Sequence, residues 1–222
     1  MIMKKSLLLL TGLLFFGWGL TQAQYISYGG KLGLSFPGFQ DERIASERIT
    51  PSFSLLGNVN ITRNFLVQLE LGYELKGNKF TYEIWDELTG ALIEDSVYDV
   101  KTNLGYVTVP LFLKYNLGRS NKFYAQIGGY YGYLINASYT GKRFDELVTR
   151  EPIQAGLSRH DFGLLIGGGL ETPVRRGLSM LLDIKYHYGL KDLSIDPMVI
   201  GHSNPVKNKS FVMSMGVIID IE

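Results

Sequence analysis

The chain has 222 residues, with 22 basic and 21 acidic side chains, three histidines and no cysteine. Such a balance gives no electrostatic case for nucleic-acid binding, and the lack of thiols excludes a disulfide framework, thiolate metal sites, a cysteine nucleophile and a lipid-modified N-terminal cysteine. Length alone fits one large domain or two small ones, so organisation has to come from pattern.

The first element reads as an export signal. Lys4 and Lys5 form a basic start, Leu7 to Leu20 an apolar stretch, and Thr21-Gln22-Ala23 puts small residues where a signal peptidase cuts. The stretch is shorter than the roughly 20 residues of a spanning helix, and no stop-transfer pattern follows. Residues 1–23 are therefore expected to be cleaved after Ala23, leaving 24–222 as one mature domain. Loss of two lysines leaves 20 basic residues against 21 acidic ones.

No mature segment has the uninterrupted apolar run of a transmembrane helix, so membrane residence requires strands. Period-two alternation marks eight of them: Tyr28 to Phe36, Ser52 to Ile61, Phe65 to Lys76, Tyr106 to Leu117, Phe123 to Tyr139, Asp161 to Leu170, Leu178 to Lys191 and Phe211 to Ile221. In the third, Phe65, Val67, Leu69, Leu71, Tyr73 and Leu75 share one face, and Gln68, Glu70, Gly72, Glu74 and Lys76 share the other. Taking the apolar parity of all eight segments gives 49 positions without one Asp, Glu, Lys or Arg, although 19% of the chain is charged. The reverse faces carry Lys31, Glu70, Glu74, Lys76, Lys114, Asp161, Glu171, Asp183, Lys185, Lys191 and Asp220. A half-buried soluble sheet would alternate too, so periodicity does not by itself choose between water and membrane.

Connections do choose. They alternate long (residues 37–51), short (62–64), long (77–105), short (118–122), long (140–160), short (about 171–177) and long (192–210). Outer-membrane barrels have tight periplasmic turns and extended outward loops, and an even strand number returns both termini to the short-turn side. Aromatics agree. Phe36, Phe53, Tyr73, Tyr133, Tyr139, Phe162, Tyr188 and Phe211 fall toward the long-loop rim, and Tyr28, Phe65, Tyr115 and Phe123 toward the other, where amphipathic rings favour the membrane interface. The expected fold is all-β: an eight-stranded antiparallel up-and-down transmembrane β-barrel behind a cleaved signal peptide.

An interior of this size is filled by its own side chains, and charges confined there must pair. A structural network of Glu70, Glu74, Lys114, Asp183 and Lys185 is therefore expected, with His187 as a satisfied lumenal histidine. Pro110 sits within a strand paired on both sides, where a missing donor calls for a bulge. Gly167-Gly168-Gly169 lies in a strand pattern without the Lys-Ser/Thr of a phosphate loop, so it reads as close packing. Ser158, His160 and Asp161 make the only group resembling a hydrolytic triad, with His202 and Ser203 on another outward loop, but strand neighbours point to opposite faces. Three dispersed histidines define no transition-metal site. The acids Glu83, Asp86, Glu87, Glu94, Asp95 and Asp99 read as a solvated surface, and Tyr82, Ile84 and Trp85 as strands continued into a hairpin beyond the membrane.

Residues 105–115 (GYVTVPLFLKY) and 123–137 (FYAQIGGYYGYLINA) resemble the PorT-type outer-membrane β-barrel family of Bacteroidota, a porin-family group, with VPLFLKY and GGYYGYL as its marks. The likeness covers Tyr25 to Glu222. It implies an outer-membrane barrel, of which some members serve type IX secretion and gliding while many have no assigned activity; it supplies no catalytic residues. The chain departs from the pattern in ending Ile219-Asp220-Ile221-Glu222 instead of on an aromatic residue. The combined expectation is a non-enzymatic, cofactor-free integral barrel in a Gram-negative outer membrane, acting as a scaffold or secretion-associated component. Its expected partners are outer-membrane lipid, lipopolysaccharide and other secretion or envelope proteins, with no nucleic acid. A small-solute channel, a lipid-modifying enzyme at the rim and a soluble ligand-binding barrel are the alternatives.

Overall fold

The computed structural model describes residues 26–40, 48–82, 98–143, 146–152, 157–193 and 206–221. The expected signal peptide, the acids at 83, 86, 87, 94 and 95, Ile84 and Trp85 of the expected hairpin, and His202 and Ser203 lie outside them. Ten strands and no helix occur among the described residues: β1 (Ile26–Phe39), β2 (Thr50–Asn60), β3 (Phe65–Lys76), β4 (Lys79–Tyr82), β5 (Tyr98–Leu117), β6 (Lys122–Arg143), β7 (Glu146–Pro152), β8 (His160–Arg175), β9 (Leu178–Gly189) and β10 (Asn208–Ile221). All but the short β4 and β7 close the barrel. Every pairing is antiparallel, and β1 meets both β2 and β10, so no edge is left in the wall. Closure satisfies the backbone where lipid offers no hydrogen bonds.

The register fixes the stagger. Stepping straight across the sheet from Ser27 through Asn58, Gln68, Phe112, Gly128, Leu165, His187 and Ser210 returns to β1 at Pro37, ten residues beyond the start. A closed sheet with such a shear carries its strands at roughly 35–45° to the axis.

The apolar parity looks outward. Leu32 is 70% exposed, Leu55 64% and Ile127 62%, whereas Lys31, Glu70, Lys114 and Asp183 are buried inside. This is the reverse of a soluble barrel, and a greasy band running around the whole girth far exceeds the few hundred Å² of apolar patch a soluble monomer shows. Hydrocarbon is the solvent that accepts such a surface. Aromatic pairs sit near both ends of the band: Phe65 with Tyr115 at 4.8 Å on the short-turn side, and Phe53 with Tyr73 at 5.9 Å and Phe36 with Phe211 at 6.1 Å on the other.

Several strands run further than alternation alone indicates. β5 and β6 stay paired to Tyr98↔Arg143, with β4 added beside β5 and β7 beside β6. A four-stranded β4–β5–β6–β7 extension thus continues the wall at the long-loop end, and the expected hairpin after residue 76 is β4 with β5. At the other end β8 reaches Arg175, so the short turn before β9 shrinks to Arg176 and Gly177, with Gly177 at φ 71°.

Two expectations on strand irregularity need correction. The β3–β5 ladder keeps one register from Phe65↔Tyr115 to Lys76↔Leu104, merely lacking the bridges beside Val109 and Pro110. A proline whose missing donor falls at an omitted bridge needs no extra residue. The bulge is on β6 instead, where Tyr106 pairs Leu134 and Gly105 pairs Asn136. Ile135 is the inserted residue, and an insertion of one reverses the facing of all that follows. Asn136 is exposed and Ala137 buried, although unbroken alternation puts Ala137 on the lipid side.

Candidate functional site: the lumenal polar network

Inward side chains fill the barrel in layers. Nearest the short turns, Leu56, Tyr124, Leu181 and Ile218 form an apolar cluster. At the long-loop end Phe39, Leu104, Tyr106, Leu134, Ala137, Leu157, Leu193 and Val206 form another. The last three come from connections that fold over the mouth: Ser158 N donates to Leu193 O at 2.8 Å, and Leu193 N to Val206 O at 2.9 Å. The charged layer lies between these two closures.

Its centre is a set of four. Lys31 on β1 donates to Glu70 Oε1 on β3 at 2.5 Å and to Asp183 Oδ2 on β9 at 2.8 Å, and Lys185 Nζ donates to Glu70 Oε2 at 2.9 Å. Tyr124 and Gln126 of β6 donate to Asp183 Oδ1 at 2.8 and 2.7 Å. Two cations and two anions thus neutralise one another, and the added donors occupy further carboxylate lone pairs. Dry ion pairs are tolerable under that condition. Gly169 lets Tyr124 reach across, because a Cβ there would fall 2.6 Å from Tyr124 Cζ. The triple-glycine run in β8 therefore serves close packing.

Of the five residues expected to form the network, Glu70, Asp183 and Lys185 belong to this set. Lys114 stands beside it, donating to Gln68 Oε1 at 2.9 Å with its ammonium 3.7 Å from the centre of the Tyr124 ring. Cation–π contact and an amide take the place of a carboxylate. Glu74 sits apart, accepting from Ser35 and Ser210 at 2.7 Å each and facing His187 Nδ1 at 3.4 Å. A cavity of about 30 Å³ lined by Glu70, Glu74, Lys31, Lys185, His187 and Ser214 separates the two groups. His187 is buried in the lumen as expected, and its Nδ1 faces Glu74 as an ion-pair partner at 3.4 Å.

A third group was not singled out from the sequence. Asp161 accepts from Lys76 at 3.0 Å, from Tyr130 at 3.2 Å and from Asn208 at 2.8 Å, all on one oxygen, and Lys76 lies 4.2 Å from the Tyr130 ring centre. The central role of Lys31 was likewise missed. Parity marks Lys31, Lys76 and Asp161 as lumenal, but which charge meets which depends on the stagger around the barrel. Two members of the lumenal set are placed elsewhere: Asp220 is exposed at the short-turn rim, and Lys191 falls beyond the end of β9.

The triad-like group is not assembled. Asp161 points inward while His160 is exposed, its Nδ1 2.6 Å from the Tyr131 phenolic oxygen. Ser158 exchanges hydrogen bonds with the His160 backbone, at 3.1 and 3.4 Å. Among the described residues no cluster of three or more His, Asp or Glu is arranged to hold a metal ion.

Solved outer-membrane proteins align with the chain. A major outer membrane protein from Thermus thermophilus superposes with a TM-score of 0.53 at 13% identity, over 88% of this chain and 99% of that one. Neisserial surface protein A aligns over 87% of this chain and 96% of that one, at 9% identity and a TM-score of 0.47. OprG from Pseudomonas aeruginosa aligns over 90% and 96%, at 16% identity and 0.42. No curated protein matches the chain. Residues 21–194 match the family model described as outer membrane protein beta-barrel domain. The chain belongs to that outer-membrane β-barrel family, and its place is the outer membrane of a Gram-negative bacterium.

Proposed function

We propose that this chain is a non-conducting, non-enzymatic barrel that serves as a membrane scaffold for an envelope or secretion assembly, a PorT-like role in type IX secretion being the specific form its sequence resemblance suggests. The observation that carries the reading is the filled lumen. Lys31, Glu70, Lys76, Lys114 and Asp183 are each at most 3% exposed, and apolar clusters lie on both sides of them. A water-filled conduit would wet those ammonium and carboxylate groups. With no path through the middle, the surfaces left for function are the outside wall, the rims and the β4–β5–β6–β7 extension. Among the described residues β4 and β7 are the end strands of that extension, and backbone at such an edge can pair with an added strand.

Planar-bilayer recording of the purified barrel tests the central point. The expected trace has no reproducible unitary conductance; steady unitary steps would replace the scaffold with the small-solute channel. In-cell cross-linking from residues of β4 and β7 tests the assembly role, with secretion or envelope proteins as the expected adducts.

A further inference from the structure

One flank of the lumen is lined by side chains too short to fill it. Ser214 of β10 pairs with Gly33 of β1, and Gly33 with Ser52 of β2; Ser54 of β2 pairs with Gly72 of β3, and Gly72 with Thr108 of β5. All six share the inward parity, so a patch of glycine and short hydroxyl residues crosses five neighbouring strands. The layers toward either end of the barrel are built mainly from leucine and aromatic side chains instead.

The consequence is the cavity of about 30 Å³ beside the ion pairs. Five of these six residues line it, Gly33 being the exception, and Lys31, Glu70, Glu74, Lys185 and His187 share its wall. Two polar atoms of that wall have no hydrogen-bond partner in the protein: His187 Nε2, on the ring edge away from Glu74, and Ser214 Oγ. Both are shut off from bulk solvent, and buried polar groups of this kind are normally satisfied. A cavity needs roughly 10–15 Å³ to seat one water, and polar walls hold water where apolar walls stay dry.

We infer that this cavity binds about two buried waters, which bond to His187 Nε2 and Ser214 Oγ and join the Lys31–Glu70–Lys185–Asp183 set to the Glu74–His187 pair. Water is the ligand whose chemistry fits. An anion here would meet Glu70 and Glu74, and a cation would meet Lys31 and Lys185, whereas water donates to the first two and accepts from the others. The apolar layers toward both ends separate the site from bulk solvent. It is thus an enclosed site, filled as the sheet closes, and it makes no conduit. This goes beyond the filled-lumen reading by naming what occupies the part that side chains leave.

X-ray radiolytic labelling of the mature barrel in non-ionic detergent, read by mass spectrometry, tests the inference, because hydroxyl radicals form where water is and oxidise the side chains beside it. Each residue's rate is compared with its own rate in the urea-unfolded chain. His187 and Val212 at the cavity and Leu104 and Leu181 in the two apolar layers are all at most 4% exposed. His187 and Val212 are expected to lose protection while Leu104 and Leu181 keep it. Ser54→Val, which grows into the cavity, should restore protection to His187. Gly57→Ala, whose added carbon meets nothing within 4 Å, should leave the labelling as it is. A crystal structure should show density within hydrogen-bond distance of His187 Nε2 and Ser214 Oγ. His187 protected as well as Leu181 in the wild-type barrel overturns the site, whatever Ser54→Val does to folding. Labelling unchanged in a folded Ser54→Val barrel, or an anomalous peak in the cavity after a bromide soak, also overturns it. Labelling of Leu104 and Leu181 together with His187 would overturn both the enclosed site and the filled lumen, whereas uniform protection removes the waters alone.

Discussion

Glu70 is where the interior's electrostatics are most concentrated, since both Lys31 and Lys185 donate to it. Glu70→Gln would leave two buried ammonium groups facing the single carboxylate of Asp183. Breaking such a site from one side costs about 3–5 kcal/mol, and a urea titration of folded against unfolded gel mobility in lipid vesicles should show a loss of that size. Lys122→Gln provides the contrast. Its pair with Glu171 has a 40% exposed ammonium, and a partly solvated pair contributes about 1 kcal/mol or less. Equal losses from the two variants would mean that the lumen is wet. These contributions follow from where each side chain stands: Glu70 is enclosed and holds two lysines, whereas Glu171 holds one partly solvated lysine.

Among the strands, β6 departs most from its alternation. The inserted Ile135 turns Ala137 into the outer apolar cluster and Asn136 outward. Because the chain has no cysteine, single cysteines can report on this without background. Asn136→Cys is expected to react with a water-soluble maleimide on intact folded protein and Ala137→Cys to resist it until unfolding; the opposite order would remove the bulge. β8 offers a second check at Gly169. Alanine there would meet the Tyr124 ring and the Leu182 carbonyl, and forcing an extra carbon into packed structure costs about 1–3 kcal/mol. Gly169→Ala should therefore lower the urea midpoint, whereas Gly57→Ala, whose added carbon meets nothing within 4 Å, should shift it little. Strand existence and facing were legible from period two along most of each segment. The bulge was not, because the run Tyr133, Leu134, Ile135, Asn136 reads equally well with either parity.

For the barrel taken together, the decisive arrangement is an apolar exterior around a charged interior, opposite to that of a soluble barrel. It places the short turns and both described ends of the chain at one rim and the β4–β5–β6–β7 extension at the other. Labelling of intact cells should follow: Ser158→Cys, beside the long-loop mouth, is expected to react with an impermeant reagent, and Ser120→Cys, in a short turn, to react only after the outer membrane is opened. Reaction of Ser120→Cys in intact cells would invert the barrel.

Pattern along the chain was enough for the number of barrel strands, their facing and the alternation of long and short connections, since side-chain period and turn chemistry act between near neighbours. It was enough, too, for the enclosure of charge, because the residues opposite the greasy face have nowhere else to go. The pairings needed the folded barrel. Lys31 meets Asp183 across 152 positions of sequence, and a different stagger would pair the same charges differently without altering any strand's pattern. Closure of the sheet fixes that stagger, and closure belongs to the eight strands together.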